Sequence, residues 1–254
     1  MTTASAMRTE DSEPTARTTY VRFGVSTRIE HLVLMVSFIM LSLTGLAEKY
    51  FQAGWAQWVI YHLGGIDGTR FIHRIFAFAF VGVAVYHLGF LVYHLLVRRG
   101  PASLLPTVKD ARDTITYLRY CLGLAPSPPQ CDRYDFRQKF EYWGIFFGGL
   151  IMILSGAALM FPIFVTRFLP GGFVPAAKEF HSNEAMLALL TIVVWHFYSA
   201  HLRPGIFPAD MSIFTGSISK ERMMEEHPLE YQRLAREPGE QGIAPREDHT
   251  AKAS

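Results

Sequence analysis

Two apolar runs carry histidines at intervals close to four helical turns. His73 and His87 lie fourteen residues apart in FIHRIFAFAFVGVAVYH, and His181 and His196 lie fifteen apart in HSNEAMLALLTIVVWH. At 3.6 residues per turn, four turns cover about 14.4 positions, so each pair projects from one helix face at levels roughly 21 to 22 Å apart. Neutral imidazole is a good ligand for haem iron, and ligation satisfies a ring nitrogen that is costly to leave bare in hydrocarbon. Two helices carrying such pairs can clamp two haems b, one above the other. For one isolated intramembrane histidine, hydrogen bonding or a proton path weighs as much as ligation. Level-matched sets on three helices favour haem.

The elements that must position these rings are legible from composition. Half of the 254 residues are hydrophobic and 14% are aromatic, which suits a bilayer better than a water-soluble domain. The apolar runs Ile29 to Ala47, Phe71 to Val97, Phe140 to Phe164 and His181 to Leu202 are each long enough to span as a helix. The expected fold is therefore an all-α membrane protein, a four-transmembrane-helix bundle with haem b between the helices. Gly45, Gly82, Gly89, Gly144, Gly148, Gly149 and Gly156 allow close approach between helices, or between helix and porphyrin. Nineteen Lys and Arg residues fall before the first span, in the 98–139 loop and after the fourth span, against four in the other two loops. The positive-inside rule then makes both termini cytoplasmic. The expected organisation is an N-terminal arm 1–28, a cytochrome domain 29–203 with the cytoplasmic loop 98–139, and a C-terminal tail 204–254.

Charge and motifs exclude other classes. A net charge of +2 is too small to imply nucleic acid. No GxGxxG, Walker, HExxH or nucleophile-elbow pattern occurs. Cys121 and Cys131 lack a CxxCH context, so any haem is held by axial ligands alone, and both are expected as free thiols in a reducing loop. The first 28 residues read as a solvated arm without a secretory signal, the stretch from Val108 as a surface helix, and SKERMMEEHPLEYQRLAREPGEQ as a charged surface helix. The last dozen residues read as disordered.

With the orientation set, His73 and His181 share an outer level, whereas His31, His87 and His196 compete for the two places of an inner haem. His94 reads as an interfacial residue, and His201 lies about 140° around the helix from His196. His62, His227 and His249 read as solvated, and Tyr93, Tyr142, Trp143 and Tyr198 as interface anchors. Arg22, Arg28, Arg70, Arg74, Lys178 and Arg203 are candidates for haem propionates, with Arg74, next to His73 inside a span, the foremost.

The segments TRIEHLVLMVSFIMLSLTG, GTRFIHRIFAF, RQKFEYW with LSGAALMFP, HFYSAHLRPGI and EEHPLEYQRL, in this order, resemble the membrane cytochrome b subunits of formate dehydrogenases and nickel-iron hydrogenases. The resemblance covers roughly residues 22 to 234. It implies an outer haem between His73 and His181 and an inner haem between His31 and His196, while spacing alone favours His87 for the inner place. The fifteen-residue interval in the fourth span rotates one ligand by an extra 100° and demands a local helix distortion. The resemblance also implies a quinone pocket by the inner haem at the entry to the third span, around Asp135 and Gln138. Asp135 reads either as a proton acceptor or as a helix N-cap paired with Arg137.

The function that follows is a di-haem membrane subunit of the bacterial or archaeal inner membrane. It passes electrons between a menaquinone or ubiquinone pool and an iron-sulfur, molybdoenzyme, hydrogenase or multihaem cytochrome c partner. Two other readings stay open: a self-contained di-haem quinone or superoxide oxidoreductase, and a haem-free transporter or scaffold.

Overall fold

Long apolar stretches build four helices able to cross a bilayer in the computed structural model, which describes residues 18–203, 206–236 and 246–247. A short strand β1 (Thr18–Val21) leads into α1 (Val25–Lys49), followed by the short α2 (Gly54–His62) and by α3 (Gly65–Val92) with a π-helical extension, Tyr93–Val97. Next come α4 (Val108–Cys121), α5 (Phe136–Met160), the single turn α6 (Pro162–Val165) and α7 (Phe173–Leu190). The last of these continues as π-helix through Thr191–His196 and Tyr198–Leu202. The chain then forms α8 (Ser212–Thr215), β2 (Ser217–Ser219), α9 (Lys220–Glu226), α10 (Pro228–Arg236) and β3 (Arg246–Glu247).

The four spans are 25 to 33 residues long, about 37 Å or more as helix against a hydrocarbon core of about 30 Å. All four begin earlier than the apolar runs do, α1 at Val25, α3 at Gly65, α5 at Phe136 and α7 at Phe173, because polar first turns are tolerated where a helix leaves the bilayer. The third ends early, since Pro162 cannot continue the ladder of α5. Gly64 and Gly65, both at positive φ, make the tight reversal from α2 into α3.

Packing follows membrane rather than water-soluble logic. The fully buried side chains at the helix contacts are small, namely Ser37, Thr44, Ala47, Thr69, Ala158 and Ala177, while Phe71, Phe78, Val85, Phe140 and Val194 face outward. Along their lengths α1 packs on α3 and α5 on α7, and α1 also touches α7. The chain is a multi-pass, all-α membrane bundle.

The described segments before α1 and after the fourth span meet at one end of this bundle. The strands form a small antiparallel sheet in the order β2-β1-β3, with Tyr20 opposite Ile218 and Thr19 opposite Arg246. Beside it Arg22 and Arg133 each place a guanidinium nitrogen 2.7 Å from a different oxygen of Glu230. Arg133 also donates to the Arg22 carbonyl at 2.9 Å, and Arg22 donates to the Arg133 carbonyl. Arg22 and Glu230 are almost completely buried. Three expectations are corrected here. Residues 18–28 are not a solvated arm, the tail after Ser219 is two packed helices rather than one surface helix, and His227 is buried rather than solvated. The cause is shared, since pairing β1 with β2 folds the tail over the bundle end. Residues 1–17, His249 and most of the last dozen residues lie outside the described residues.

The His227 Nδ1 is 2.8 Å from the Asp132 carbonyl. Burial, and then the neighbouring Arg22 charge, hold its pKa below the ordinary imidazole value, with Glu226 and Glu230 opposing. The folded tail therefore binds fewer protons than the unfolded one, so its stability should fall as pH drops below about 6.5. Limited proteolysis of the tail should be faster at about pH 5.5 than at about pH 7.5, and His227→Gln should abolish that difference.

The expected surface helix is α4. Its Asp110 caps the first turn with Thr107 and pairs with Lys139 at 2.9 Å, while Arg137 lies over the Tyr117 ring. Val108, Ile115 and Leu118 face outward. Cys121 and Cys131 are free thiols, and burial pushes Cys131 up to about 11.

Candidate functional site

Four histidines from three spans meet in two pairs. Toward the α2 end, His73 of α3 faces His181 of α7 with ring centres 6.4 Å apart and planes at 67°. Toward the sheet end, His31 of α1 faces His196 of the π-helical segment, 6.2 Å apart at 34°. Two imidazoles on opposite sides of one metal, at nitrogen–metal bonds of about 2 Å, have centres about 6.3 Å apart. Both separations match that figure. No group of three or more His, Cys, Asp or Glu side chains suited to a metal converges among the described residues. Each pair thus offers two nitrogens, the number needed by a metal that already holds four in-plane donors, as in a metalloporphyrin.

Hydrogen bonds fix which nitrogen is offered. The Thr44 hydroxyl donates its single proton to the Met40 carbonyl at 2.7 Å, so it accepts from His73 Nδ1–H at 2.8 Å. By the same logic Ser155 donates to the Ile151 carbonyl at 2.6 Å and accepts from His181 Nδ1–H at 2.9 Å. His196 Nδ1–H is held by the Glu141 carboxylate. In all three rings the proton resides on Nδ1 and Nε2 keeps its lone pair, the tautomer a metal requires.

His87 is differently employed. Its Nδ1 is 2.8 Å from Glu30 Oε2 and its Nε2 is 2.9 Å from the Tyr142 hydroxyl. Both ring nitrogens are engaged, and it is His31 that the fold brings to His196. Glu30 also accepts from Ser26 at 3.1 Å, and Ser26 reaches Tyr86 at 2.9 Å.

The interval of fifteen residues is accommodated as the sequence demands. A π-turn advances about 20° less per residue than an α-turn, so six π residues remove roughly the 100° that one extra residue adds. Thr191–His196 is that segment. Space beside the other pair comes from glycine. A Cβ on Gly45 would stand 3.4 Å from His73 Cε1, and one on Gly156 only 3.1 Å from His181 Cε1. Gly148 and Gly149 face Glu184 and Phe80 instead, whereas Gly82, Gly89 and Gly144 face nothing within 4 Å.

The remaining expected residues are scattered among other roles. Arg74 is exposed and makes no ion pair among the described residues. Asp135 is the N-cap of α5, accepting from Gln138 N at 2.8 Å and from Arg137 at 2.6 Å, and Gln138 Oε1 accepts from Asp135 N at 3.1 Å. Of the two readings of Asp135, the structure shows the cap. Arg22 is committed to Glu230, and Arg28 and Arg203 reach the Phe214 carbonyl and Glu226. His94 and His201 lie against Phe90 and Phe197, and His62 is exposed. Sequence reasoning passed over Thr44, Ser155, Glu30 and Glu141. The two carboxylates had a signal, being acidic side chains inside apolar runs; the hydroxyls had none.

The architecture is that of a helical membrane bundle with imidazoles paired at two heights. No family model matches the chain. It is similar, at 24% identity over 221 residues, to the formate dehydrogenase cytochrome b556(fdo) subunit of Escherichia coli K12, the match covering 86% of this chain and 94% of that protein. The same figures hold for the proteins of that description from Escherichia coli O6:H1 and O157:H7.

Proposed function

We propose that the chain is the membrane cytochrome b subunit of an oxidoreductase complex, carrying two haems b and moving electrons between a quinone pool and a partner redox subunit. The observation that carries this is the pair of ring separations, 6.2 and 6.4 Å, at two levels of one bundle. The similarity to a formate dehydrogenase cytochrome subunit supports the same reading. We assign the sheet end to the cytoplasmic side of the inner membrane, on the charge distribution. His31 and His196 then hold an inner haem and His73 and His181 an outer one.

Haem b supplies reversible one-electron chemistry when bound. The chain's own contribution is ligation, orientation and dielectric. Thr44, Ser155 and Glu141 lock three imidazoles in the ligating tautomer, and the apolar helices keep water away from the rings. The two levels are about 20 Å apart along the helices. Quinone binding belongs at the inner level by the start of α5, where the Asp135–Gln138 cap shapes the entrance and Gln138 keeps its amide N–H groups as donors. The outer end faces the partner, an iron-sulfur, molybdenum, hydrogenase or multihaem protein.

The direct test is pyridine haemochrome analysis and a reduced-minus-oxidised spectrum of the purified chain. Close to two haems b per chain are expected, and a chain without haem overturns the proposal. Reduction of the haems by a quinol analogue checks the quinone assignment. A further expectation concerns Gly156: valine there has no room beside His181 Cε1, so Gly156→Val should lose the outer haem and keep the inner one. Haem content and redox titration read that outcome.

A further inference from the structure

Three of the four paired histidines have a cation three residues before them. Arg28 precedes His31, Arg70 precedes His73 and Lys178 precedes His181. Residues at this interval share a helix face one turn apart. In each case the preceding turn is the one nearer the end of the span, because His31 lies near the start of α1, His73 near the start of α3 and His181 in the first half of α7. A cation therefore stands one turn closer to water than each of these rings.

Two of the three converge. Arg70 and Lys178, from different helices, line one cavity of about 630 Å³ at the α2 end, together with Glu48, Gln57, Tyr61 and Ile66. Arg70 is held by Glu48, to whose Oε1 it donates from Nε at 3.0 Å and from Nη2 at 2.7 Å. A guanidinium has five N–H donors, so three remain. Lys178 is exposed and makes no hydrogen bond among the described residues. Arg74, beside His73, is turned about 100° from it and does not line this cavity.

We propose that this cavity is the anchoring site for the two propionate carboxylates of the outer haem, with Arg70 and Lys178 each pairing one of them. The inference deepens the haem reading above and rests on it. The chemistry is amphiphilic: a flat apolar macrocycle enters between His73 and His181, and its two carboxylates must end where charge can be solvated and paired. Glu48 Oε1 takes the Nε and Nη2 donors on one edge of Arg70, which leaves the Nη1–Nη2 edge of the guanidinium for a carboxylate. Arginine gives a planar two-point contact and lysine a point charge, so the two sides of the cavity are not equivalent. The third cation repeats the arrangement at the inner pair, where Arg28 Nε is buried with no hydrogen-bond partner among the described residues.

The test is a potentiometric titration of the purified chain, with haem quantitation, for Arg70→Gln, Lys178→Gln, the double variant and Arg74→Gln. A cation near a haem favours the reduced form, whose charge is more negative by one. Each of Arg70→Gln and Lys178→Gln should therefore lower the outer haem's midpoint potential and leave the inner haem's unchanged. The double variant should lower it further and release part of the outer haem, and Arg70→Lys should restore most of the shift. The inner haem serves as the folding control in every variant. Outer-haem potentials unchanged in both single variants, or a shift in Arg74→Gln alone, would overturn this assignment while leaving the haem reading intact. A wild-type chain with no haem would instead overturn the reading beneath it.

Discussion

Replacing His31 by alanine should halve the haem content, leaving the outer haem, whereas replacing His87 should leave two haems per chain. Both residues stand at a suitable depth, spacing alone favours His87 and the resemblance implies His31; the structure separates them by bonding. His31 sits 6.2 Å from His196, centre to centre. His87 spends Nδ1 on Glu30 and Nε2 on Tyr142, at 2.8 and 2.9 Å. For His87 to ligate through Nε2, its bond to Tyr142 would have to break inside the bilayer, leaving that hydroxyl without its partner at a cost of about 1 to 3 kcal/mol. Haem quantitation decides the matter, and electron paramagnetic resonance identifies the survivor. The ring planes cross at 67° in the outer pair and 34° in the inner, so the two low-spin signals should differ. Loss of a haem in His87→Ala with retention in His31→Ala would reverse the assignment.

The parts of this molecule that were legible beforehand are those governed by one-dimensional patterns. Hydropathy located all four spans, and the interval between His181 and His196 announced a helix distortion. Helix depth alone placed His73 and His181 at one level. What escaped was everything decided by rotation about a helix axis or by contacts between distant segments. Depth cannot tell whether His31 or His87 faces His196, because both stand at suitable heights and differ in which neighbour they meet. The hydroxyls of Thr44 and Ser155 look like any small packing residue until their rings are placed against them. The buried lock of Arg22, Arg133 and Glu230 joins segments more than 90 residues apart, and no local pattern foretells it. A carboxylate in an apolar run does carry a local signal. Glu141, one residue before the Tyr142–Trp143 pair read as an interface anchor, was legible and was passed over.

The largest effect of a small change should come from the helix between His181 and His196. One residue inserted there, for example an alanine after Ile192, should abolish the inner haem, while one residue deleted should be tolerated. In a regular α-helix an interval of fourteen returns a ring to within about 40° of its partner's direction, and an interval of fifteen overshoots to about 60° on the other side. The π-helical Thr191–His196 absorbs the excess, bringing His196 back toward the direction that fourteen α residues would give. Deletion lets the segment relax to α-helix with the ring still facing His31, and a π-turn is the less favourable form, so stability should not suffer. Insertion would require a second compensating π-segment in the same few residues, with Tyr198–Leu202 already wound that way. His196 would then turn away from His31 and from Glu141, which holds its Nδ1–H. The outer haem is untouched in both variants, since His181 lies before the altered segment. If the inserted chain keeps both haems, the π-turn is not what sets the direction of His196. If the deleted chain loses the inner haem, the extra residue serves the site by some means other than its angle.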